Sequence, residues 1–454
     1  MTTRRMAAVA ISASLVVAWG ATQSGSASAA PDRFYTYSGH AALTSYVPGS
    51  VLKTRTMRYH VAGIATPLLA TQILFRSTGA TGAATANVTS VISPPGTKRS
   101  KGVVSYQSAY DSLNPEDGPS RAVAGDVDLG PLTPVGRNVH IGSIAANAEN
   151  GILTTVLALG YSVNIPDTEG QDADFAAGPE YGMNTLDSLR AIAEVPSTGT
   201  DRTSRIGLIG YSGGAIASNW AAILAPGYAP DVNARLIGVA QGGLLVNPSR
   251  NLRYVSGSYG WAGVTGMAIK GVSRAYGFDL DKYLSNYGRQ TLRQLSDASI
   301  LNFWYPGLTW RKLMKPQFAD PRTVPEFVDA VNELNMGTAA IPTVPMFIAQ
   351  AANGIIELTP PGSRDIGPGD GVMITGDVRA LAKRYCDNGL AVAYHQYDVL
   401  SHTTGAVVWL AESVPWLLDR FAGRPAPDTC GQIAPGNKDA FAQERHMPSH
   451  TSGG

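Results

Sequence analysis

Ser212 stands in Gly210-Tyr211-Ser212-Gly213-Gly214, directly after the apolar run 206–209. A serine hydroxyl is a weak nucleophile at neutral pH and attacks only when a base takes its proton. The G-x-S-x-G spacing supplies the geometric half of that requirement. A sharp turn after a buried strand lifts the hydroxyl above the sheet, and the flanking glycines give the backbone room to turn. A helix starting near Ala215 aims the positive end of its dipole at an anion developing there. The amide of Gly213 is placed to donate to that anion. This chemistry is nucleophilic attack on a carbonyl.

On such a scaffold the partners follow the serine in the order acid, then histidine. Of the seven histidines, His395, His402, His446 and His450 come after Ser212. The last two fall in a polar C-terminal stretch. His395 sits inside the strand-like segment 391–397, whereas His402 follows it in Leu400-Ser401-His402-Thr403, at the edge where Ser212 also emerges. His402 is therefore the expected base. The acid belongs on the loop after the strand 344–349. Asp365, Asp370, Asp377 and Glu357 are candidates; Asp377 is adequately explained as a helix N-cap. Asp370, flanked by Gly369 and Gly371 ahead of a helix, is the choice, orienting the imidazole without itself taking the proton. A second anion donor is expected from the loop after the strand around Val103 and Val104, within Ser105-Tyr106-Gln107-Ser108-Ala109-Tyr110-Asp111-Ser112.

The elements that must hold these residues read as an α/β alternation. Short β-type runs occur over 71–76, 86–92 and 102–106, after a leader rich in Tyr, Gly and Ser that extends to about residue 63. From Gly151 onward, apolar strands at 163–165, 206–209 and 236–240 alternate with helical spacing at Met183, Leu186, Leu189 and Ala193. That rhythm predicts a largely parallel sheet covered by helices on both faces. It breaks over 244–342, a helical and aromatic stretch carrying Trp261, Trp304 and Trp310, and resumes at 344–349 and 391–394. An insertion of this size reads as a cap over the C-terminal edge of the sheet. The expected organisation is thus 1–30 export signal, 31–243 first part of the main domain, 244–342 helical cap, 343–433 second part, and 434–454 disordered tail.

Composition narrows the function classes. The 454 residues are 44 % hydrophobic and 15 % charged, with a formal charge of +1, which excludes a nucleic-acid binder in the absence of a basic stripe. Arg4 and Arg5, an apolar run and Ala27-Ser28-Ala29-Ala30 form a secretory signal, too short to span a bilayer. Its removal leaves 33 basic against 34 acidic residues. In an exported chain the two cysteines, Cys386 and Cys430, are expected to form one disulfide. No metal-binding spacing, phosphate loop or dinucleotide fingerprint is present, so no cofactor or metal is expected.

Taken together, these residues resemble the secretory lipase family of α/β-hydrolases. The resemblance runs from Pro48-Gly49-Ser50-Val51-Leu52 through the Val104–Ser112 loop, Gly160-Tyr161, Pro166-Asp167 and Gly210–Gly214 to Ser401-His402, and includes the paired cysteines. It implies an α/β-hydrolase fold with a helical lid, a catalytic triad of Ser212, Asp370 and His402, and an oxyanion hole from Asp111 and Gly213. The chain departs from the family twice. Ala352-Asn353-Gly354-Ile355-Ile356 stands where the family acid commonly lies, with Asn for Asp, and Pro115-Glu116-Asp117-Gly118 lacks a cysteine usual in the family.

The expected function is that of a secreted serine lipase or esterase, hydrolysing carboxylic esters of lipids through an acyl-enzyme on Ser212. An acyltransferase on envelope lipids would use the same triad, and a non-catalytic lipid-binding protein could share the scaffold. Expected partners are a lipid or other ester substrate, with transient contact to a lipid interface through the cap.

Overall fold

The computed structural model describes residues 32–96, 99–126, 143–300 and 304–448; the export signal expected over 1–30 lies outside them. Among the described residues, nine strands form one sheet within the unit Phe34–Gly454. They are β1 (Val51–Val61), β2 (Ile64–Thr78), β3 (Ala84–Ile92), β4 (Val103–Gln107), β5 (Ser162–Pro166), β6 (Ile206–Tyr211), β7 (Leu236–Gly242), β8 (Met346–Ala351) and β9 (Val392–Tyr397). Their order is β1-β2-β3-β5-β4-β6-β7-β8-β9. Pairing is antiparallel from β1 to β5 and parallel from β5 to β9. The leader thus contains a strand that the sequence reading left out. β1 is an edge strand whose Lys53, Arg55, Arg58 and His60 break the apolar signal, and edge strands tolerate such residues.

The helices are α1 (Pro119–Ala124), α2 (Ser143–Ala158), α3 (Gly178–Ile192), α4 (Gly213–Tyr228), α5 (Pro230–Asn233), α6 (Pro248–Val255), α7 (Ala262–Ala275), α8 (Asn286–Gln294), α9 (Trp310–Leu313), α10 (Pro325–Glu333), α11 (Thr375–Asp387) and α12 (His402–Phe421). The pleat sorts the strand residues between the two faces. Ile206, Leu208, Met346, Ile348 and Val392 share a core with α3, α4 and α11. Their neighbours Ile209, Tyr211, Phe347, Ala349 and Ala393 pack with α2 and α12. This two-residue period is what a sheet covered on both faces demands.

Between β7 and β8 the chain leaves the sheet for α6 to α10. Met267, Leu292, Leu308, Trp310, Phe327 and Val331 of this stretch belong to a separate apolar core. The segment 434–448, expected to be disordered, is instead ordered. Ala440 is fully buried, Asn247 Nδ2 donates to the carbonyls of Ala440 (3.1 Å) and Ala442 (3.0 Å), and Phe441 fills the space that a side chain at Gly337 would need. One apolar anchor and side-chain amides that satisfy its backbone outweigh its polar, Pro-rich composition. Cys386, at the end of α11, is bridged to Cys430.

Candidate active site

The parallel strands end at one edge, and the segments leaving that edge carry four of the residues singled out above. β4 leads to Asp111, β6 to Ser212, β8 to Asp370 and β9 to His402. Crevices at the carboxyl ends of parallel strands are where open α/β sheets bind ligands.

Ser212 follows β6 immediately and has φ +55°, a left-handed conformation that a side-chain-bearing residue adopts at a cost of about 1–3 kcal/mol. The turn is held by Ser212 N–H donating to Gly242 O (2.9 Å), while Ser212 O accepts from Ala215 (2.9 Å) and Ile216 (3.1 Å) to open α4. The motif glycines are required by contact. A Cβ on Gly210 would lie 2.2 Å from Gly214 O, and one on Gly214 2.0 Å from Gln107 O.

His402 Nε2 lies 2.8 Å from Ser212 Oγ, and His402 Nδ1 lies 2.8 Å from Asp370 Oδ2. Asp370 is fully buried. Its Oδ2 also accepts from Gln350 Nε2 (2.8 Å), and its Oδ1 from the amides of Val372 (2.9 Å) and Met373 (2.7 Å). The His402 amide donates to Asp370 O at 2.8 Å, so backbone and side chain lock the same pair. Tyr211, the variable residue of the motif, donates to His402 O at 2.6 Å.

Burial opposes charging of His402. The charge of Asp370 and its hydrogen bond, joined by Glu357 and Asp111, more than offset this, so the imidazole pKa lies above its ordinary value. Asp111 is buried against α4: a Cβ on Gly213 would fall 1.7 Å from Asp111 Oδ1. It too has positive φ, at +36°. Burial pushes the Asp111 carboxyl up to about 7; His402 and the Gly213 amide pull it down, and Glu149 adds to the rise. Two further buried acids crowd this corner. Glu149 accepts from the Ala109 amide (3.1 Å) and Ser108 Oγ, and Glu169 from the Ser112 amide (3.2 Å) and Tyr181 OH (3.0 Å). Burial raises both of their pKa values.

The other candidates lie apart from this chain of bonds. His395 Nδ1 pairs with Glu412 at 2.7 Å, on the face covered by α12. Asp365 pairs with Arg253 (3.4 Å). Asp377 is not the N-cap of α11, which is Ile374; it sits inside the first turn and accepts from Arg250 Nε at 2.9 Å. Glu357 accepts from Trp261 Nε1 (2.7 Å) and the Thr403 amide (2.7 Å), and the Trp261 ring meets the His402 ring edge-on at 5.6 Å. Gln350, Trp261, Glu149 and Glu169 were given no part in the site by the sequence, because neither type nor spacing marks a glutamine, tryptophan or glutamate that supports a site from 20 or more residues away.

Above Ser212 and Gly213 opens an apolar cavity lined from α6, α7 and α10, with Leu252, Val264, Ile269, Val272, Phe327 and Val331 among its walls.

The strand order, the helices on both faces and the strained serine after a central strand define an α/β-hydrolase. Residues 136–429 match the family model described as "Secretory lipase", and the chain belongs to that family. It is 32 % identical over 403 residues to Lipase A of Arthroderma benhamiae, covering 84 % of this chain and 78 % of the relative. It is 29 % identical over 393 residues to the "probable inactive lipase" of Mycobacterium tuberculosis, covering 84 % and 80 %. The structure of Candida antarctica lipase A in its closed state superposes with TM-score 0.71 at 25 % identity, covering 90 % of this chain and 92 % of that one. The protein is a carboxylic ester hydrolase whose family acts on lipid esters.

Proposed function

We propose that this chain is a serine lipase, exported by way of residues 1–30, which cleaves lipid esters through an acyl-enzyme on Ser212. The observation that carries this reading is the unbroken hydrogen-bond chain Ser212–His402–Asp370, with Ser212 facing an apolar cavity. His402 Nε2 takes the hydroxyl proton as Ser212 Oγ bonds to the ester carbonyl carbon. The carbonyl π pair moves onto oxygen, which meets the amides of Gly213 and Asp111. Collapse breaks the bond to the leaving alkoxide, and the imidazolium returns its proton to that oxygen. Water then repeats the sequence: His402 removes one proton, the hydroxide oxygen bonds to the acyl carbon, and the proton returns to Ser212 Oγ as the carboxylic acid departs. Asp370 holds the Nδ1–H tautomer and stabilises the imidazolium. The insertion 244–342 acts as a cap whose apolar walls take the acyl chain.

The inactivity attributed to the mycobacterial relative is a statement about that protein; the hydrogen-bond chain from Ser212 to Asp370 supports activity for this one. The test is hydrolysis of p-nitrophenyl esters from acetyl to palmitoyl by wild type and Ser212→Ala. Removal of such a nucleophile typically lowers kcat by about 10⁶-fold. Equal rates in the two proteins would refute the assignment of Ser212.

A further inference from the structure

Polar side chains are scarce in the cavity above Ser212. Among the described residues that wall it, only Asp111, Ser212, Asn251 and Thr265 carry a side-chain nitrogen or oxygen. Three of the four have partners within the fold. Ser212 Oγ lies 2.8 Å from His402 Nε2, Asn251 Nδ2 donates to Val372 O (2.8 Å), and the Asp111 carboxyl accepts from the Gly213 amide. Thr265 is the exception. It is 1 % exposed, and its Oγ1 is buried and makes no hydrogen bond among the described residues.

Neither the helix nor the packing accounts for this hydroxyl. A threonine inside a helix commonly bonds back to the carbonyl one turn earlier. In α7 that carbonyl, on Trp261, takes the Val264 amide instead (3.1 Å). Val264, Ala268, Ile269 and Val272 line the cavity from the same helix, and all are hydrocarbon. Valine at 265 would keep the β-branched shape without desolvating an oxygen. A buried hydroxyl left unpaired costs stability, and such local conflicts concentrate where a residue serves function rather than folding. Thr265 also lies one turn from Trp261, whose ring meets His402 edge-on at 5.6 Å. Because Ser212, Gly213 and Thr265 border one cavity, an acyl chain that is held at Ser212 and fills it meets the hydroxyl.

We propose that Thr265 selects acyl chains carrying an oxygen function, a hydroxyl or a keto group, partway along their length, by giving that oxygen a hydrogen-bond partner in an otherwise apolar wall. This rests on the reading of Ser212 as the ester-cleaving residue with its acyl chain in this cavity. A plain chain leaves the Thr265 hydroxyl unpaired. A chain oxygenated at the matching carbon pairs it and is paired in turn, since a hydroxyl both donates and accepts. At any other carbon the oxygen enters hydrocarbon without a partner. The selection is therefore positional, and a site that hydrogen-bonds a substrate oxygen discriminates more sharply than one that only fits its shape.

The experiment reads binding and turnover apart. In the full chain carrying Ser212→Ala, dissociation constants are measured for methyl tetradecanoate and for its monohydroxy derivatives substituted at successive carbons. Away from Thr265 a hydroxyl is expected to weaken binding about 5-fold or more relative to the plain ester, the cost of a buried unpaired polar group. Over one short run of carbons that loss should vanish. Adding Thr265→Val should bring the loss back over this run, while methyl tetradecanoate, which leaves the hydroxyl unpaired in the parent, binds at least as tightly. Thr265→Ser, which keeps the hydroxyl and drops the methyl, should retain the window. With Ser212 intact, plain and hydroxylated esters competing in one mixture should show the same window in kcat/KM. Hydrolysis of the plain ester by the wild type tests the ester-cleaving reading by itself, because the binding window does not depend on turnover. A hydroxyl penalty equal at every carbon, or a window that Thr265→Val leaves unchanged, would overturn the proposal.

Discussion

Replacing Asp111 by asparagine should widen the pH range of the enzyme on the alkaline side. Asp111 is buried within reach of the position an oxyanion would take beside Gly213, and that burial pushes its carboxyl up to about 7. Neutral, it leaves its amide free to serve the developing negative charge; ionised, it places a like charge beside it. Above about pH 7 the productive fraction falls with the neutral form, approaching about tenfold per pH unit well above the midpoint. Asparagine preserves the size of the group and an oxygen for the Gly213 amide, but cannot ionise, so this alkaline limb disappears. The acid limb belongs to His402, which in the proposed role must be neutral to accept the serine proton; Asp111 is already neutral over that range, so this limb should stay where it is. The assay is kcat/KM on a soluble ester from pH 5 to 9 at constant ionic strength, with Asp111→Ala alongside. The alanine variant removes the titrating group without preserving the contact to Gly213, so its profile should flatten while its maximum drops. Superimposable wild-type and Asp111→Asn profiles above pH 7 would refute the reasoning.

Gln350→Met deprives buried Asp370 of one hydrogen bond and the Leu244 amide of its acceptor, so urea denaturation should show a loss of about 1–3 kcal/mol, together with a lower kcat. Replacing Cys386 and Cys430 together by alanine frees a 44-residue separation and should cost ~4 kcal/mol in the same assay. Activity under native conditions should survive, since the bridge lies at the far end of α11 from Thr375. Stability should also rise as pH falls from 7 to 5. Burial first, and for Asp174 the neighbouring Asp172, raise the Asp174 and Asp187 carboxyls to about 7 and about 6. Between the ordinary carboxylate range and those values the folded chain binds more protons than the unfolded one, so stability declines as pH rises through that window. A melting temperature at pH 5 no higher than at pH 7 would contradict this.

The sequence by itself determined the local conformation around the candidate nucleophile. Glycines on both sides of Ser212, after an apolar run and before a helix, are legible because a strained strand–turn–helix permits few residue types. The α/β class followed from alternation of period, and His402 from chain order and position after a strand. The cysteine pair needed only counting and a redox compartment. Interactions that join distant segments were decided by the tertiary structure. Asp370 could be preferred to Asp365, Asp377 and Glu357 on its flanking residues, but its three supporting donors besides His402 come from β8 and from its own turn, an arrangement that exists only once the loop closes. The order of 434–448 and the strand β1 likewise escaped a reading by composition, because each is stabilised by what it packs against. The pressure on Asp111 from burial and from Glu149 belongs to this second kind: desolvation depends on how many atoms surround a group, and a linear chain does not record that.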